Sequence, residues 1–132
     1  MLTLPRLADF DQASRVRIWL ATAPADMRCG FDRLAQLASC VTGQDPLSGH
    51  LFLFRSRGGD RLKALLFEGD GYAIWYKRLE AGTFRFPRVA EGQSSLEIKP
   101  SELAMLLEGI DLSSVKRRPR YVVNKVEKSE GK

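Results

Sequence analysis

Side chains able to perform catalysis are sparse in this sequence. His50 is the single histidine, and Cys29 and Cys40 are the only cysteines. The chain therefore has neither the Cys/His groupings of zinc sites nor the partners that a Ser/His/Asp triad needs. We expect no metal and no cofactor, and a structural role for His50 in a strand.

Aspartates offer another route to catalysis, because paired carboxylates can hold two metal ions for phosphoryl transfer. Asp70 falls in the Gly69–Gly71 turn, where aspartate is common because it hydrogen-bonds locally. Asp26 and Asp32 fall near an expected helix start, where capping accounts for them. The sequence therefore favours a protein that is not an enzyme. A metal-dependent nuclease is kept as an alternative.

Positive charge is concentrated in two segments. Residues 50–88 carry eight Lys or Arg against four Asp or Glu, and residues 113–132 carry seven against two. The rest of the chain is net acidic. Such asymmetry is typical of a surface that binds a polyanion such as DNA. On charge alone, a solvated basic face and a basic tail explain the pattern equally well.

The composition is that of one soluble globular domain, with 132 residues of which 44% are apolar and 28% are charged. No apolar stretch approaches the length of a membrane span. Pro5, Arg6 and Asp9 interrupt the start of the chain, where a signal peptide would be apolar. Two cysteines in a chain of this size suit a reducing compartment. We expect a cytoplasmic protein without membrane contact.

The basic central region is predicted to form a β-meander. Strands are expected at His50–Ser56, Arg61–Glu68 and Tyr72–Leu79, joined by Gly58-Gly59 and by Gly69-Asp70-Gly71. Glycine-rich turns of this kind supply the positive φ that tight hairpins need. The turn lengths pair Phe54 with Lys63, Lys63 with Tyr76, and Arg61 with Arg78.

Further elements are expected on both sides of the meander. They are a strand at Arg15–Ala21, a helix capped by Asp26 and ended by Gly43, short strands at Thr83–Phe86 and Ser95–Ile98, and a helix from Lys99 to a cap at Gly109. The predicted fold class is α+β, with an antiparallel meander of three to five strands packed on one face by two helices. We expect a single domain at residues 1–112 and a flexible basic tail at 113–132.

Alternation of side chains along these strands separates two faces. The apolar face carries Leu51, Leu53, Leu62, Ala64, Leu66, Ala73, Trp75 and Leu79. The opposite face gathers Phe54, Arg61, Lys63, Tyr76 and Arg78 at one end. Arg61 directly across from Arg78 is unfavourable unless an anion lies between them. The alternative is that Phe54 and Tyr76 belong to the core and the cations extend from it to solvent.

The motifs in these segments resemble those of a known family. Residues 22–34, TAPADMRCGFDRL, are similar to the Asp-Met-Arg-x-Gly-Phe-Asp-x-Leu segment of the TnpB accessory proteins of the sixty-six family of insertion sequences. The likeness continues through residues 51–87, where WYKRLEAG follows a Gly-Asp-Gly turn, and through IKPSELAMLLEGID at 98–111. Cys29 departs from the family, in which Lys is common at that position.

The resemblance implies a protein encoded beside a DDE-type transposase and needed for efficient transposition, with no catalytic residues to carry over. This family is unrelated to the larger RNA-guided nucleases that share the TnpB name. The partners it implies are the DNA of the element ends and the transposase of the same element. The oligomeric state is left open.

Two modes of action are compatible with this setting. In the first, the protein binds DNA. The residues expected to do so are Arg55, Arg57, Arg61, Lys63, Tyr76, Lys77, Arg78 and Arg85, with Lys116, Arg117, Arg118 and Arg120 as a mobile clamp. In the second, the protein is an adaptor that docks the transposase without touching DNA. Its expected partner-binding residues are Asp26, Met27, Arg28 and Phe31.

Overall fold

The structure is a computed structural model that describes residues 16–108. Five strands form one sheet in the order β4-β3-β2-β1-β5. The elements in chain order are β1 (Ile18–Ala21), α1 (Phe31–Thr42), a short 3₁₀ helix (Pro46–Ser48), β2 (Leu51–Arg55), β3 (Arg61–Phe67), β4 (Tyr72–Arg78), β5 (Ser95–Ile98) and α2 (Pro100–Glu108). The predicted α+β class is confirmed. The predicted tail at residues 113–132 and the cap at Gly109 lie outside the described residues.

The central meander has the register that its turns predict. Phe54 pairs with Lys63, Lys63 with Tyr76, and Arg61 with Arg78. Gly59 has a φ of 77°, which a side chain would resist, so glycine is needed in the β2–β3 turn. The glycines therefore fix which side chains face each other across these three strands.

The sheet is mixed, because β1 pairs with β2 in parallel and with β5 in antiparallel fashion. The expected antiparallel meander is confirmed for β2, β3 and β4, whereas the parallel pairing of β1 with β2 was not expected. Two parallel neighbours need a connection that returns the chain to the starting end of the sheet, and α1 lies in that connection. After β4 the chain crosses to the far side of β1 and adds β5 there.

The two helices pack on opposite faces of the sheet, and the prediction that both cover one face was wrong in this respect. The face under α2, here called the α2 face, buries Ile18, Leu20, Leu51, Leu53, Leu62, Ala64 and Leu66 against Leu103 and Leu106. The face under α1, here called the α1 face, buries Ala21, Phe52, Phe54 and Leu65 against Met27, Leu34, Ala35 and Ala38. The apolar side chains of β2 alternate between both faces, as is typical of a strand covered on both sides.

Helix α1 starts later than its sequence pattern indicates. Its N-cap is Gly30, whereas Asp26 uses its carboxylate to accept the backbone N–H of Arg28 at 2.9 Å in a separate turn. Asp26 therefore shapes the segment before the helix instead of capping it. The helix ends at Gly43 as predicted, with a φ of 71° and an N–H donated to Ser39 O at 3.0 Å.

The segment after β4 was expected to contain a strand at Thr83–Phe86, and this prediction was wrong. These residues are irregular, although Phe84 is buried and its N–H donates to Gly59 O at 2.8 Å. Phe84 and Phe86 pack on the α2 face although their segment is not a strand. Their alternate spacing is the same as in a strand, and this is why a strand was expected. Within residues 16–108 no helix is long and apolar enough to cross a membrane.

Candidate nucleic-acid interface

Cations gather at one end of the sheet, where the β2–β3 turn meets the last residues of β4. Arg61 opens β3 and lies directly across from Arg78, which closes β4. Tyr76 precedes Arg78 by two residues and so shares its face, and exposed Arg57 belongs to the turn after β2. We call Arg57, Arg61, Tyr76 and Arg78 the basic end of the sheet.

The two facing arginines are partly neutralised by their own neighbours in sequence. Arg61 Nε lies 3.9 Å from Asp60 Oδ1, and the Arg61 side chain is 43% exposed. Arg78 donates from Nη2 at 3.0 Å and from Nε at 3.2 Å to Glu80 Oε2, and its side chain is 65% exposed. Exposed pairs of this kind contribute about 0–1 kcal/mol, so a phosphate can compete with these carboxylates for the guanidinium groups.

Tyr76 is the exposed aromatic group of the basic end, with 47% of its surface accessible. The ammonium nitrogen of Lys63, its cross-strand neighbour, lies 4.7 Å from the centre of its ring. Lys63 is itself only 8% exposed and donates from Nζ to Cys29 O at 2.8 Å. Lys63 therefore tethers the segment before α1 and supports Tyr76, instead of reaching into solvent as a phosphate ligand.

The Asp-Met-Arg motif forms a rigid corner beside the basic end. Arg28 donates to both Asp26 carboxylate oxygens, with Nη2 2.8 Å from Oδ2 and Nε 3.1 Å from Oδ1. These bonds, with that from the Arg28 backbone, lower the pKa of Asp26 to about 2. Met27 is buried against the α1 face, whereas Phe31 is 50% exposed at the start of α1. The motif thus presents one ion pair and one ring to solvent.

Two open grooves flank this corner. A polar groove of about 310 Å³ is lined by Pro24, Ala25, Asp26, Met27, Ser56, Arg57 and Arg61. A more apolar groove of about 220 Å³ is lined by Ala21, Ala23, Pro24, Ala25, Asp26, Cys29, Arg33, Leu37, Val41 and Phe54. Asp26 belongs to both. The structure therefore brings the expected DNA-binding residues Arg57 and Arg61 next to the expected partner-binding motif.

The remaining predicted site residues do not join the basic end. Arg55 points to the α2 face, where it donates to Thr22 O at 2.7 Å and lies over the ring of Phe86 at 5.5 Å. Lys77 is exposed and pairs with Leu62, so it also belongs to the α2 face. Arg85 is exposed in the irregular segment after β4. Lys116, Arg117, Arg118 and Arg120 lie outside the described residues.

A family model described as IS66 Orf2 like protein matches residues 16–117, which include all five strands and both helices. The chain belongs to the IS66 Orf2-like family. It is accordingly an accessory protein associated with insertion sequences. This confirms the resemblance carried by two motifs: Asp-Met-Arg forms the corner, and Trp-Tyr-Lys-Arg contributes Tyr76 and Arg78 to the basic end.

Two relatives of this IS66 Orf2-like protein come from Sinorhizobium fredii (strain NBRC 101917 / NGR234). The chain is 46% identical to "Uncharacterized protein y4hO" over 96 residues, which cover 73% of this chain and 82% of the relative. It is 38% identical to "Uncharacterized protein y4jC" over 104 residues, which cover 79% of this chain and 87% of the relative. No solved structure matches the chain.

Sequence reasoning missed Ser56 as an organiser of this IS66 Orf2-like surface. Its buried hydroxyl accepts the backbone N–H of Arg61 at 3.0 Å and lies 3.2 Å from Asp60 Oδ1, to which it donates. These contacts fix where Arg61 leaves the turn and where its carboxylate neighbour lies. The available signal was a serine at the end of a strand, before the Gly58-Gly59 turn and four residues ahead of an aspartate.

His50 lies immediately before β2, outside the strand in which it was expected, and it has a hydrogen-bond partner in the fold. Its Nδ1 accepts the backbone N–H of Arg17 at 3.0 Å. Burial lowers the pKa of His50, and the charge of Arg17 adds to this effect. Among residues 16–108 no three His, Cys, Asp or Glu side chains come together as metal ligands.

Proposed function

We propose that this protein assists transposition by binding the DNA of its insertion sequence through the basic end of the sheet. The observation that carries the proposal is the direct opposition of Arg61 and Arg78 in adjacent strands. Like charges directly across a sheet repel each other, and this repulsion is relieved when an anion lies between them. A phosphate supplies that anion and accepts hydrogen bonds from both guanidinium groups.

The surroundings of the two arginines support this role. Arg57 lies in the same polar groove as Arg61, so a third guanidinium is available to a neighbouring phosphate. Arg61 and Arg78 contact the carboxylates of Asp60 and Glu80 through exposed ion pairs, which weaken with salt and exchange readily. The proposal assigns the protein no catalytic step, since binding alone can hold element DNA for a transposase.

The experiment is a titration of labelled DNA from the element ends with the wild-type protein and with the Arg61→Gln/Arg78→Gln double variant. We expect the double variant to bind at least about tenfold more weakly, because a hydrogen bond from a charged donor contributes about 1.5–3 kcal/mol. Glutamine keeps the first part of each side chain and a polar end, and it removes the positive charge together with the guanidinium donors.

The matched control is Arg17→Gln/Lys99→Gln, which removes the same charge from the other end of the sheet. Arg17 lies next to Ile18, which pairs with Leu51. Leu51 in turn pairs with Leu66, at the end of β3 opposite to Arg61. This control should bind within about twofold of wild type if the basic end is the interface. Equal losses in both double variants would mean that only net charge matters and would contradict the assignment of the site.

An adaptor role is the second candidate, and it is favoured by the exposed ring of Phe31, which follows the exposed Asp26–Arg28 ion pair by three residues. Aromatic and arginine side chains are enriched in protein interfaces. In this case the transposase of the same element would co-purify with the protein after nuclease treatment, and Phe31→Ala would abolish the association. Loss of the association on nuclease treatment would instead indicate that DNA bridges the two proteins.

A further inference from the structure

We propose that the DNA bound at the basic end is single-stranded, with one unpaired base stacked on the outer face of the Tyr76 ring. This inference rests on the proposed function and specifies its substrate. The relevant geometry involves the Tyr76 ring, the lysine beneath it and the two arginines beside it.

Lys63 lies against one face of the Tyr76 ring, and the side chain as a whole is exposed. Lys63 approaches from the neighbouring strand β3, with its ammonium nitrogen 4.7 Å from the ring centre. The covered face is therefore the one directed towards the interior of the sheet. Because β4 is the edge strand and the side chain keeps 47% of its surface accessible, we infer that the opposite face is the one open to a ligand.

The ring is held in place before any ligand binds. Lys63 is only 8% exposed, and its Nζ is fixed by the hydrogen bond of 2.8 Å to Cys29 O. The cation attracts the ring through its quadrupole, an interaction that strengthens as the cation loses contact with water. A preorganised aromatic side chain loses little further conformational entropy when a base stacks on it.

Phosphate ligands lie one nucleotide away from the ring. Arg78 follows Tyr76 by two residues on the same face, a spacing of roughly 7 Å along a strand. Arg61 Nη1 lies 3.5 Å from the Tyr76 hydroxyl oxygen, at the rim of the ring. A base stacked on Tyr76 therefore leaves its own backbone within reach of both guanidinium groups. Combining aromatic platforms with cations along the backbone is the usual design of single-strand binding surfaces.

Duplex DNA cannot use this arrangement without distortion. Bases inside a duplex already stack on each other and leave no free face for an aromatic side chain. Tyr76 could reach a base only by wedging between two base steps, which costs a few kcal/mol of stacking. The arginines alone would then hold the duplex, through contacts that do not involve the ring.

The experiment measures fluorescence anisotropy with a labelled single-stranded oligonucleotide and with a hairpin duplex of equal phosphate number. The proteins are wild type, Tyr76→Ala and Tyr76→Phe. We expect Tyr76→Ala to weaken single-strand binding by about 5- to 150-fold, the loss typical when one stacking aromatic group is removed. Tyr76→Phe keeps the ring and should bind within about twofold of wild type. Duplex binding should change by less than about twofold in either variant.

Leu47→Ala is the matched surface control, because Leu47 is also an exposed apolar side chain but lies in the 3₁₀ helix, which packs near the opposite end of β3. It should leave binding to both DNAs unchanged. If wild type binds both DNAs and Tyr76→Ala weakens neither, the single-strand inference is overturned and DNA binding by the basic end stands. If wild type binds neither DNA at low salt, the proposed function itself is overturned.

Discussion

Replacing Arg55 with Met should destabilise the fold, although Arg55 lies only two residues from Arg57 of the basic end. Met keeps the apolar stem but removes the hydrogen bonds from Nη2 at 2.7 Å and Nε at 3.2 Å to Thr22 O. It also removes the cation–π contact with Phe86. A hydrogen bond from a charged donor contributes about 1.5–3 kcal/mol and a cation–π contact about 0.5–1 kcal/mol. Because Arg55 is partly exposed, water can satisfy the freed carbonyl, and we expect a loss of about 1–3 kcal/mol.

Urea denaturation followed by the fluorescence of Trp19 and Trp75 measures this loss. With a slope of about 1–3 kcal/mol/M, the midpoint should fall by roughly 0.3–3 M. Arg57→Met is the control, because Arg57 is exposed in the turn and its stability change should stay within about 0.5 kcal/mol. The effects on DNA affinity should be the opposite: Arg57→Met should bind DNA more weakly than Arg55→Met. An Arg55→Met protein as stable as wild type would refute the structural role given to this arginine.

Two further predictions concern protonation. The carboxyl of Asp26 should titrate with a pKa of about 2, and Arg28→Ala should return this pKa towards 3.8, because the side-chain hydrogen bonds from Arg28 stabilise the carboxylate. A carbon NMR titration measures both pKa values. An unchanged Asp26 pKa in Arg28→Ala would contradict the geometry. Because the pKa of His50 is lowered in the fold, its neutral form contributes stability that is present above about pH 6.5 and is lost as the pH falls through the lowered pKa. The urea midpoint of the wild-type protein should therefore decrease as the pH is lowered from about 7.5 to 5.5. His50→Asn retains a side-chain acceptor for the Arg17 N–H, and its midpoint should decrease less over this range. Equal decreases in the two proteins would exclude His50 as the cause.

The register of the central meander was predictable because it depends on short-range chemistry. Turn glycines fix the number of residues between paired positions, and this number fixes which side chains share a face. The opposition of Arg61 and Arg78 therefore followed from the Gly58-Gly59 and Gly69-Asp70 turns alone. The family motifs lie on these same strands and on the corner before α1, so the family could also be predicted from sequence.

The burial of Phe54 and Lys63 was not predictable in the same way. Both lie on the α1 face at the basic end, and the sequence allowed either a binding surface or a covered core there. The outcome depends on where the segment before α1 folds, since its Cys29 carbonyl accepts the Lys63 ammonium over the end of the sheet. This contact joins residues 34 positions apart, and no local pattern encodes it. Tyr76 remains exposed because it lies on the edge strand, beyond that cover.

The parallel pairing of β1 with β2 was missed for a related reason. The pattern of β1 predicts a strand but does not specify its neighbour, and α1 can lead the next strand to either side of it. The apolar side chains of β2 on both faces, Leu51 to Phe54, were the available signal that the sheet is covered twice. Interpreting them in this way would have placed one helix on each face.

The salt dependence of DNA binding tests the central claim most directly. The slope of log K against log salt reports how many phosphates the protein neutralises, at about 0.7 per phosphate for single strands and about 0.9 for duplex. If Arg61 and Arg78 together neutralise the phosphate that lies between them, Arg61→Gln/Arg78→Gln should have a slope shallower than wild type by roughly 0.7 to 0.9. Arg17→Gln/Lys99→Gln should keep the wild-type slope. A wild-type slope in the first double variant would contradict the assignment of the basic end as the DNA-binding surface.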